Sequence, residues 1–487
     1  MNRHPLKILF VTSEVYPLIK TGGLADVSSG LPLALKASGH DVRIIIPAYK
    51  TALQNAGKTK IKLKTIAGSA IRLLEGKLPN SQVPVWFVDS PELYYRNGGP
   101  YGASNGIDWP DNAERFNTFN QVAYQVAANK LELDWQPDIV HCNDWQSGLV
   151  PAYLSNEKQR PATVFTIHNL AYLGLFPKQT FNQLSLNKKW WNYDKLEFHN
   201  NFSFLKGGLV YSDFINTVSP TYAKQILTSE FGYGMEGLLS YRKNRLSGIL
   251  NGIDEEHWNP ETDKLIAKNY SYETLSNKYI NKQAVQKYFK LPIDVEKPVI
   301  GIIGRMVEQK GFDLIQNILP LIIQHNAQVI MLGSGDSQLE ASLISCMHQY
   351  PYNISIEIGY NESLAHLIEA GSDMFLMPSR FEPCGLNQFY SLKYGTVPIV
   401  NNTGGLADSV VDTSAETLED QTATGFKFYE ATPEALLSAI TRALHTFHNS
   451  RDDWNKIIKN GMQQDFSWTS SAQHYVSLYH DAIKSQG

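Results

Sequence analysis

The chain has 487 residues, 43% of them hydrophobic, which is enough for packed cores in two to three domains of roughly 150 residues each. A net charge of −4 provides no overall basic field, so nucleic acid and anionic membranes are excluded as primary partners on bulk electrostatics, and any anion has to be met by a local pocket. Cys142, Cys346 and Cys384 are widely spaced, odd in number and without the paired short spacings of zinc or redox sites, and the opening MNRHPLKILFVTSE has neither a long apolar segment nor a small-residue cleavage site, so a reducing cytoplasm is the expected location.

In chain order, KILFVTS reads as a strand, TGGLADVSSGLPLALKASG as a helix closed by Gly39, and DVRIIIP as a second strand, which together make a βαβ unit. Similar apolar runs at VPVWFVDS, PDIVHCND and ATVFTIHN predict a mostly parallel sheet with helical crossovers in the first half. A polar stretch over 252–297, rich in Asn, Lys, Tyr and Glu, marks a boundary. Beyond it KPVIGIIGRM, AQVIMLGSG, NISIEIGY, DMFLMPS and VPIVNN predict a second doubly wound sheet, with a helix that opens at Thr432-Pro433-Glu434. The expected domains are 1–255 and 256–465, with a last helix in 466–487 that returns to the first domain.

Candidate chemistry gathers where predicted strands end, which is where α/β sheets bind ligands. Thr21 to Asp26 (TGGLAD) is repeated at Thr403 to Asp408, each time between a strand and a helix. A Gly-Gly turn lets a phosphate approach backbone N–H groups closely, although for either turn alone a simple need for glycine suffices. Arg305 and Lys310 are two cations five residues apart in one strand-end loop, suited to a diphosphate: Arg clamps oxygens bidentately and Lys acts as a point charge. Glu382, in the string Glu-Pro-Cys-Gly, is the strongest single catalytic candidate, and Asp144-Trp145 and His168-Asn169 end two further strands. No metal triad with suitable spacing stands out, and no G-x-G-x-x-G follows the first strand, which weighs against a nicotinamide-dependent oxidoreductase.

Taken together, Lys20 to Val27 (KTGGLADV), Tyr94 to Tyr101 (YYRNGGPY), Asp111 to Phe116 (DNAERF), Asp144-Trp145, His168-Asn169, the Arg305 to Gly311 loop, Glu382 to Gly385 and Thr403 to Leu406 resemble the bacterial glycogen synthase and plant starch synthase family, in the same order and over nearly the whole chain. The resemblance implies an α/β GT-B fold, two doubly wound Rossmann-like domains facing a deep cleft, with the glucan acceptor on the first and the nucleotide-sugar donor on the second. It implies ADP-glucose and an α-1,4-glucan as substrates and no cofactor or metal. Lys20, Gly22 and Gly23 are then expected against the donor's phosphates and glucose, Arg305 and Lys310 on the diphosphate, and the N–H groups of Gly404, Gly405 and Leu406 beside it, within donor-binding strings that include Thr403, Cys384 and Gly385. Glu382 is expected to bind glucose hydroxyls, His168 to sit near the anomeric carbon, and Tyr360 to stack on adenine. Asp26, Asp144 and Asn169 are expected sugar or acceptor contacts, with Trp145 and Tyr101 as walls.

The chain departs from the wider retaining group at Tyr390, where many members carry a second Glu, and from its own branch at Asn143 and Asn387. The implied reaction is a metal-independent, retaining transfer by front-face attack, because no second carboxylate partners Glu382. Two other readings remain: a related transferase that makes a small product from UDP-glucose, and a catalytically silent glucan binder. KTGGLADV and EPCG weigh against the first, and a diphosphate clamp against the second.

Overall fold

In the computed structural model, which describes residues 4–63, 70–104 and 106–486, the run KILFV forms strand β1 (Lys7–Val11), with Ile8 to Val11 wholly buried. The strands β2 (Asp41–Pro47), β3 (Lys60–Leu63), β4 (Arg72–Lys77), β5 (Pro84–Asp89), β6 (Ile139–Asn143) and β7 (Ala162–Ile167) follow. A small three-stranded sheet of β8 (Leu175–Pro177), β9 (Glu197–Phe198) and β10 (Asn201–Ser203) precedes β11 (Phe214–Thr217) and β12 (Leu246–Gly248). The large sheet runs β12-β11-β7-β6-β1-β2-β5-β4-β3, parallel from β12 to β5 and antiparallel at the β4 and β3 edge. Continuous apolar runs such as Ile44–Ile46 fit strands covered on both faces.

The helix Gly23–Ala37 packs beside β2 and buries Leu24, Val27, Leu31 and Leu35, a 3–4 spacing that keeps one face apolar, and the left-handed Gly39 (φ 93°) follows its end. The helix Trp468–Lys484 belongs to the same unit, Met1–Gly252 with Trp468–Gly487. It is anchored by polar bonds inside the core: Tyr479 Oη lies 2.8 Å from His141 Nδ1, Asn216 Nδ2 donates to Tyr475 Oη at 3.1 Å, and Ser471 Oγ donates to the Leu250 carbonyl at 2.8 Å.

The second unit, Ile253–Ser467, holds a wholly parallel six-stranded sheet. Its strands are β13 (Val299–Ile303), β14 (Gln328–Gly333), β15 (Ile354–Ile358), β16 (Met374–Met377), β17 (Val397–Asn401) and β18 (Phe426–Phe428), in the order β15-β14-β13-β16-β17-β18. The helix Pro433–Asn449 starts as Thr432-Pro433 predicts: the Thr432 hydroxyl accepts from Ala435 N–H at 3.2 Å, and Pro433 occupies a first-turn position that has no N–H to satisfy. The expected apolar runs become β1, β2, β5, β6, β7 and β13 to β17. The sheets also extend into β3, β4, β11, β12 and β18, all but β4 of four residues or fewer and too short for a period to register. No helix among the described residues is long and apolar enough to cross a membrane.

Gly30 lies under the indole of Trp468, where a Cβ would fall 1.9 Å from Nε1. Alanine gains up to about 1 kcal/mol in a helix interior, but forcing a methyl into a filled core costs about 1–3 kcal/mol, so the clash dominates. Gly30→Ala should therefore lower the urea midpoint, and an unchanged or raised midpoint would show that Trp468 yields freely.

Candidate active site

In the second sheet β13 lies between β14 and β16, so the loops leaving β13 and β16 emerge side by side where the strand order reverses. The first carries Arg305 and Lys310, the second Ser379 to Gly385. The two loops are joined at several points. Arg380 N–H donates to the Gln309 carbonyl at 2.9 Å, and the Arg380 guanidinium holds both oxygens of Asp313 at 2.8 and 2.7 Å. Gly311 (φ 74°) passes so close to Pro378 that a Cβ would lie 2.2 Å from its carbonyl oxygen. Lys310 Nζ reaches Glu382 Oε2 at 2.5 Å, and Ser379 Oγ donates to the same oxygen at 3.0 Å. Glu382 is only 7% exposed, whereas Arg305 is exposed and forms no ion pair among the described residues.

The Thr403–Leu406 string leaves β17 beside this pair. At Gly404 (φ 44°) a Cβ would lie 1.9 Å from the Glu382 carbonyl oxygen, and at Gly405 one would lie 2.1 Å from that of Cys384. Gly405 N–H donates to the carbonyls of Glu382 and Pro383 at 3.1 and 3.2 Å, and Leu406 N–H to that of buried Thr403 at 3.1 Å. Two of the three N–H groups expected to meet a phosphate, those of Gly405 and Leu406, are thus engaged within the protein, and both glycines make a close backbone approach. Cys384 is buried, and Gly385 (φ 73°) turns the chain toward a helix that begins at Asn387. Tyr360 follows the edge strand β15 and the left-handed Gly359, and its ring is 79% exposed.

In the first sheet β1 is flanked by β2 and β6, so the loop through Glu14 to Gly22 and the turn at Asp144 leave neighbouring strands. Lys20 Nζ pairs with Asp26 Oδ1 at 2.8 Å. The N–H groups of Thr21 and Gly22 both donate to Glu14 Oε2, and Tyr101 Oη donates to Glu14 Oε1 while lying 2.8 Å from Ser13 Oγ. Burial pushes the Glu14 carboxyl above its ordinary value against these donors. Glu14, which organises the whole turn, is absent from the sequence-predicted set; its one signal is its place where the first strand ends, eight residues before Gly22.

Asp144, left-handed at φ 55°, accepts on Oδ1 from the N–H of His168 at 2.7 Å and of Asn169 at 3.4 Å. Burial pushes its carboxyl up to about 7. His168 Nε2 lies 2.9 Å from Asn143 Oδ1, and burial holds its imidazole down at about 3, so the ring is neutral at physiological pH. Asn169 Oδ1 accepts from Ala171 N–H at 3.0 Å in a local turn. Trp145 packs edge-on to Phe116 and Phe204 with centroids at 4.9 and 5.9 Å, and Tyr101 tilts over Phe116 at 6.1 Å. Both aromatics therefore pack on the core, Trp145 just after β6 and Tyr101 in the loop before the helix Asn112–Ala127.

Residues 7–241 match the family described as Starch synthase catalytic domain, and residues 286–461 match Glycosyl transferases group 1. The chain is 51% identical over 483 residues to a glycogen synthase of Thioalkalivibrio sulfidiphilus, covering 98% of this chain and 100% of that protein. It is 52% identical over 478 residues to glycogen synthase 1 of Methylococcus capsulatus, covering 98% and 97% of the two chains. Among solved structures, the catalytic domain of starch synthase IV from Arabidopsis thaliana bound to ADP and acarbose is similar with a TM-score of 0.88 and 30% identity, over 99% of this chain and 100% of that one.

The raised carboxyl of Asp144 has a signed consequence. Between the ordinary value of about 4 and the folded value of about 7 the unfolded chain ionises first, so Asp144 withdraws stability as pH rises through that window and the deficit is constant above it. Urea unfolding of wild type and Asp144→Asn at about pH 5 and about pH 7.5 should show the variant gaining on wild type at the higher pH. A stability difference independent of pH would contradict the assigned protonation.

Proposed function

Since this chain belongs to the glycogen synthase and starch synthase family of glycosyltransferases, we propose that it elongates an α-1,4-glucan in the cytoplasm, passing glucose from ADP-glucose to the non-reducing 4-hydroxyl with retention of configuration. The observation that carries donor and acceptor is the starch synthase solved with ADP and acarbose, which is alike over 99% of this chain.

On this reading the second unit holds the donor. Arg305 clamps diphosphate oxygens from its exposed position, and Lys310, fixed in place by Glu382, adds a second positive charge as the leaving group forms. Glu382 Oε2 is occupied by Lys310 and Ser379, which leaves Oε1 to accept from glucose hydroxyls. Thr403 to Leu406, with Cys384 and Gly385, act by holding the Glu382 backbone, and the exposed ring of Tyr360 stacks on adenine. Lys20, Gly22 and Gly23 lie against the donor's phosphates and glucose, and Asp26, Asp144 and Asn169 contact sugar, with Trp145 and Tyr101 behind them.

In the transfer the bond from the anomeric carbon to the phosphate oxygen breaks, the bond to the acceptor O4 forms on the same face, and the acceptor proton passes to the departing phosphate. Positive charge grows on the glucosyl ring. His168 answers it with its carbonyl and a neutral imidazole, since a ring held at about 3 adds no opposing charge. No covalent glucosyl carboxylate is required.

Incorporation of labelled glucose into glycogen, with ADP-glucose and UDP-glucose compared, tests donor and site together. ADP-glucose should be preferred, and Glu382→Ala and Lys310→Ala should each lower kcat by about 10²–10³-fold, the cost typical of one lost electrostatic stabiliser. Preference for UDP-glucose or absence of polymer growth would refute the substrate assignment, and undiminished variants would refute the site.

A further inference from the structure

One polar cluster in the second unit lies outside the residues assigned to transfer. The helix Glu362–Gly371 places Glu362 and His366 one turn apart on one face. Facing them is His257, in a turn where Asp254 Oδ1 accepts from the N–H groups of Glu256 and His257 at 3.0 and 3.2 Å. One imidazole nitrogen each from His257 and His366 and one carboxylate oxygen of Glu362 all lie within 4.8 Å of one another.

His366 has no exposed surface, and its two nitrogens differ. Nδ1 donates to Asp263 Oδ2 at 2.7 Å, and Tyr394 Oη donates to the same oxygen at 2.6 Å. The backbone N–H of Leu265 donates to the other Asp263 oxygen at 2.8 Å, so the carboxylate is an acceptor for all three groups and holds the His366 proton on Nδ1. Nε2 then presents a lone pair, is buried, and has no hydrogen-bond partner among the described residues. Such an orphan acceptor asks for an explanation. The ring cannot turn to find a partner, because Trp258 stacks on it at 3.7 Å with 14° between planes.

We propose that His366, His257 and Glu362 form a binding site for a divalent transition-metal ion of the zinc type, with Asp263 orienting His366 from behind. Two imidazoles and one carboxylate with a remaining open position suit zinc or cobalt and not magnesium or calcium, which require oxygen donors. An acidic residue bonded to the far nitrogen of a ligating histidine is the usual device for fixing its tautomer and raising its basicity. At ligand distances of roughly 2.1 Å, two ligands of one ion stand at most roughly 4.2 Å apart, so a span of 4.8 Å calls for a small movement. His257 and Glu362, 38% and 37% exposed, are able to make it, exchanging their present 2.8 Å contact for the ion while buried His366 stays fixed. The ion would tie the segment after Ile253 to the helix that follows Tyr360. The sequence conceals this triad because His257 stands 105 residues from Glu362.

The test uses the full chain, freed of metal with a chelator and then titrated with Co2+ and Zn2+. One Co2+ per chain should bind with the visible absorption of a low-coordinate nitrogen and oxygen site, Zn2+ should displace it, and the thermal midpoint should rise with Zn2+ concentration by mass action. His257→Gln and Glu362→Gln, both at partly exposed positions and so expected to keep the fold, should each weaken Co2+ binding at least about tenfold while leaving the metal-free midpoint unchanged. No stoichiometric absorption, or the same affinity in both variants as in wild type, would overturn the site. Because the readout is binding and not glucose transfer, its failure would leave the transferase reading untouched, and the converse also holds.

Discussion

The contact between Lys310 and Glu382, 2.5 Å long and between loops that leave adjacent strands, is the constraint on which the strand ends of the second unit depend. A carboxylate only 7% exposed is costly unless donors surround it, and removing one partner of such a pair typically costs 3–5 kcal/mol. Lys310 and Ser379 satisfy one oxygen. The backbone behind it is held from the other side by Gly405 N–H on the carbonyls of Glu382 and Pro383. That docking is open only to glycine, because a Cβ at 404 or 405 would fall about 2 Å from carbonyl oxygens, well inside van der Waals contact. The causal line runs from two glycines to a close backbone approach, from there to a fixed Glu382, and through Lys310 to the loop that leaves Arg305 exposed.

The repeated TGGLAD string shows how little a motif determines alone. In the second unit its glycines meet backbone carbonyls. In the first, Gly22 has nothing within 4 Å of a Cβ position, and the N–H groups of Thr21 and Gly22 instead converge on the buried carboxylate of Glu14. The same six residues thus serve a crowded junction in one sheet and an open, carboxylate-filled turn in the other. The difference lies in what the neighbouring strand ends supply, Glu382 to Cys384 in one case and Glu14 with Tyr101 in the other.

This difference also marks how far the sequence was legible. Long apolar runs such as KILFV and VIGII announce buried parallel strands because both faces are covered. Short strands such as β12 and β18, three residues each, carry too few positions for a period to register. Partnerships are hidden altogether where partners are remote: Lys310 and Glu382 stand 72 residues apart, Tyr101 and Glu14 87, and only the fold juxtaposes them. Arg305 and Tyr360 could be named from the chain, but the engagement of the Gly405 and Leu406 N–H groups could not, since it depends on which carbonyls lie opposite.

Tyr390 shows a departure from pattern acquiring a physical reason. Its position, eight after Glu382, is one where a glutamate is common in the wider retaining group, and the tyrosine here is 9% exposed, its ring stacked on Trp258 at 3.9 Å with 9° between planes. His366 stacks on Trp258 at 3.7 Å, and two nearly parallel rings this close to one centroid must occupy its opposite faces. The indole is therefore filled on both sides. A carboxylate at 390 would vacate one face and set negative charge against the electron-rich ring, losing the burial and the 0.5–1.5 kcal/mol that an aromatic pair typically adds. The pile has a directional consequence as well: with Trp258 held by Tyr390, and Asp263 holding Nδ1, the His366 ring has one orientation left, and that orientation keeps its Nε2 inside the unit as a lone pair in need of a partner.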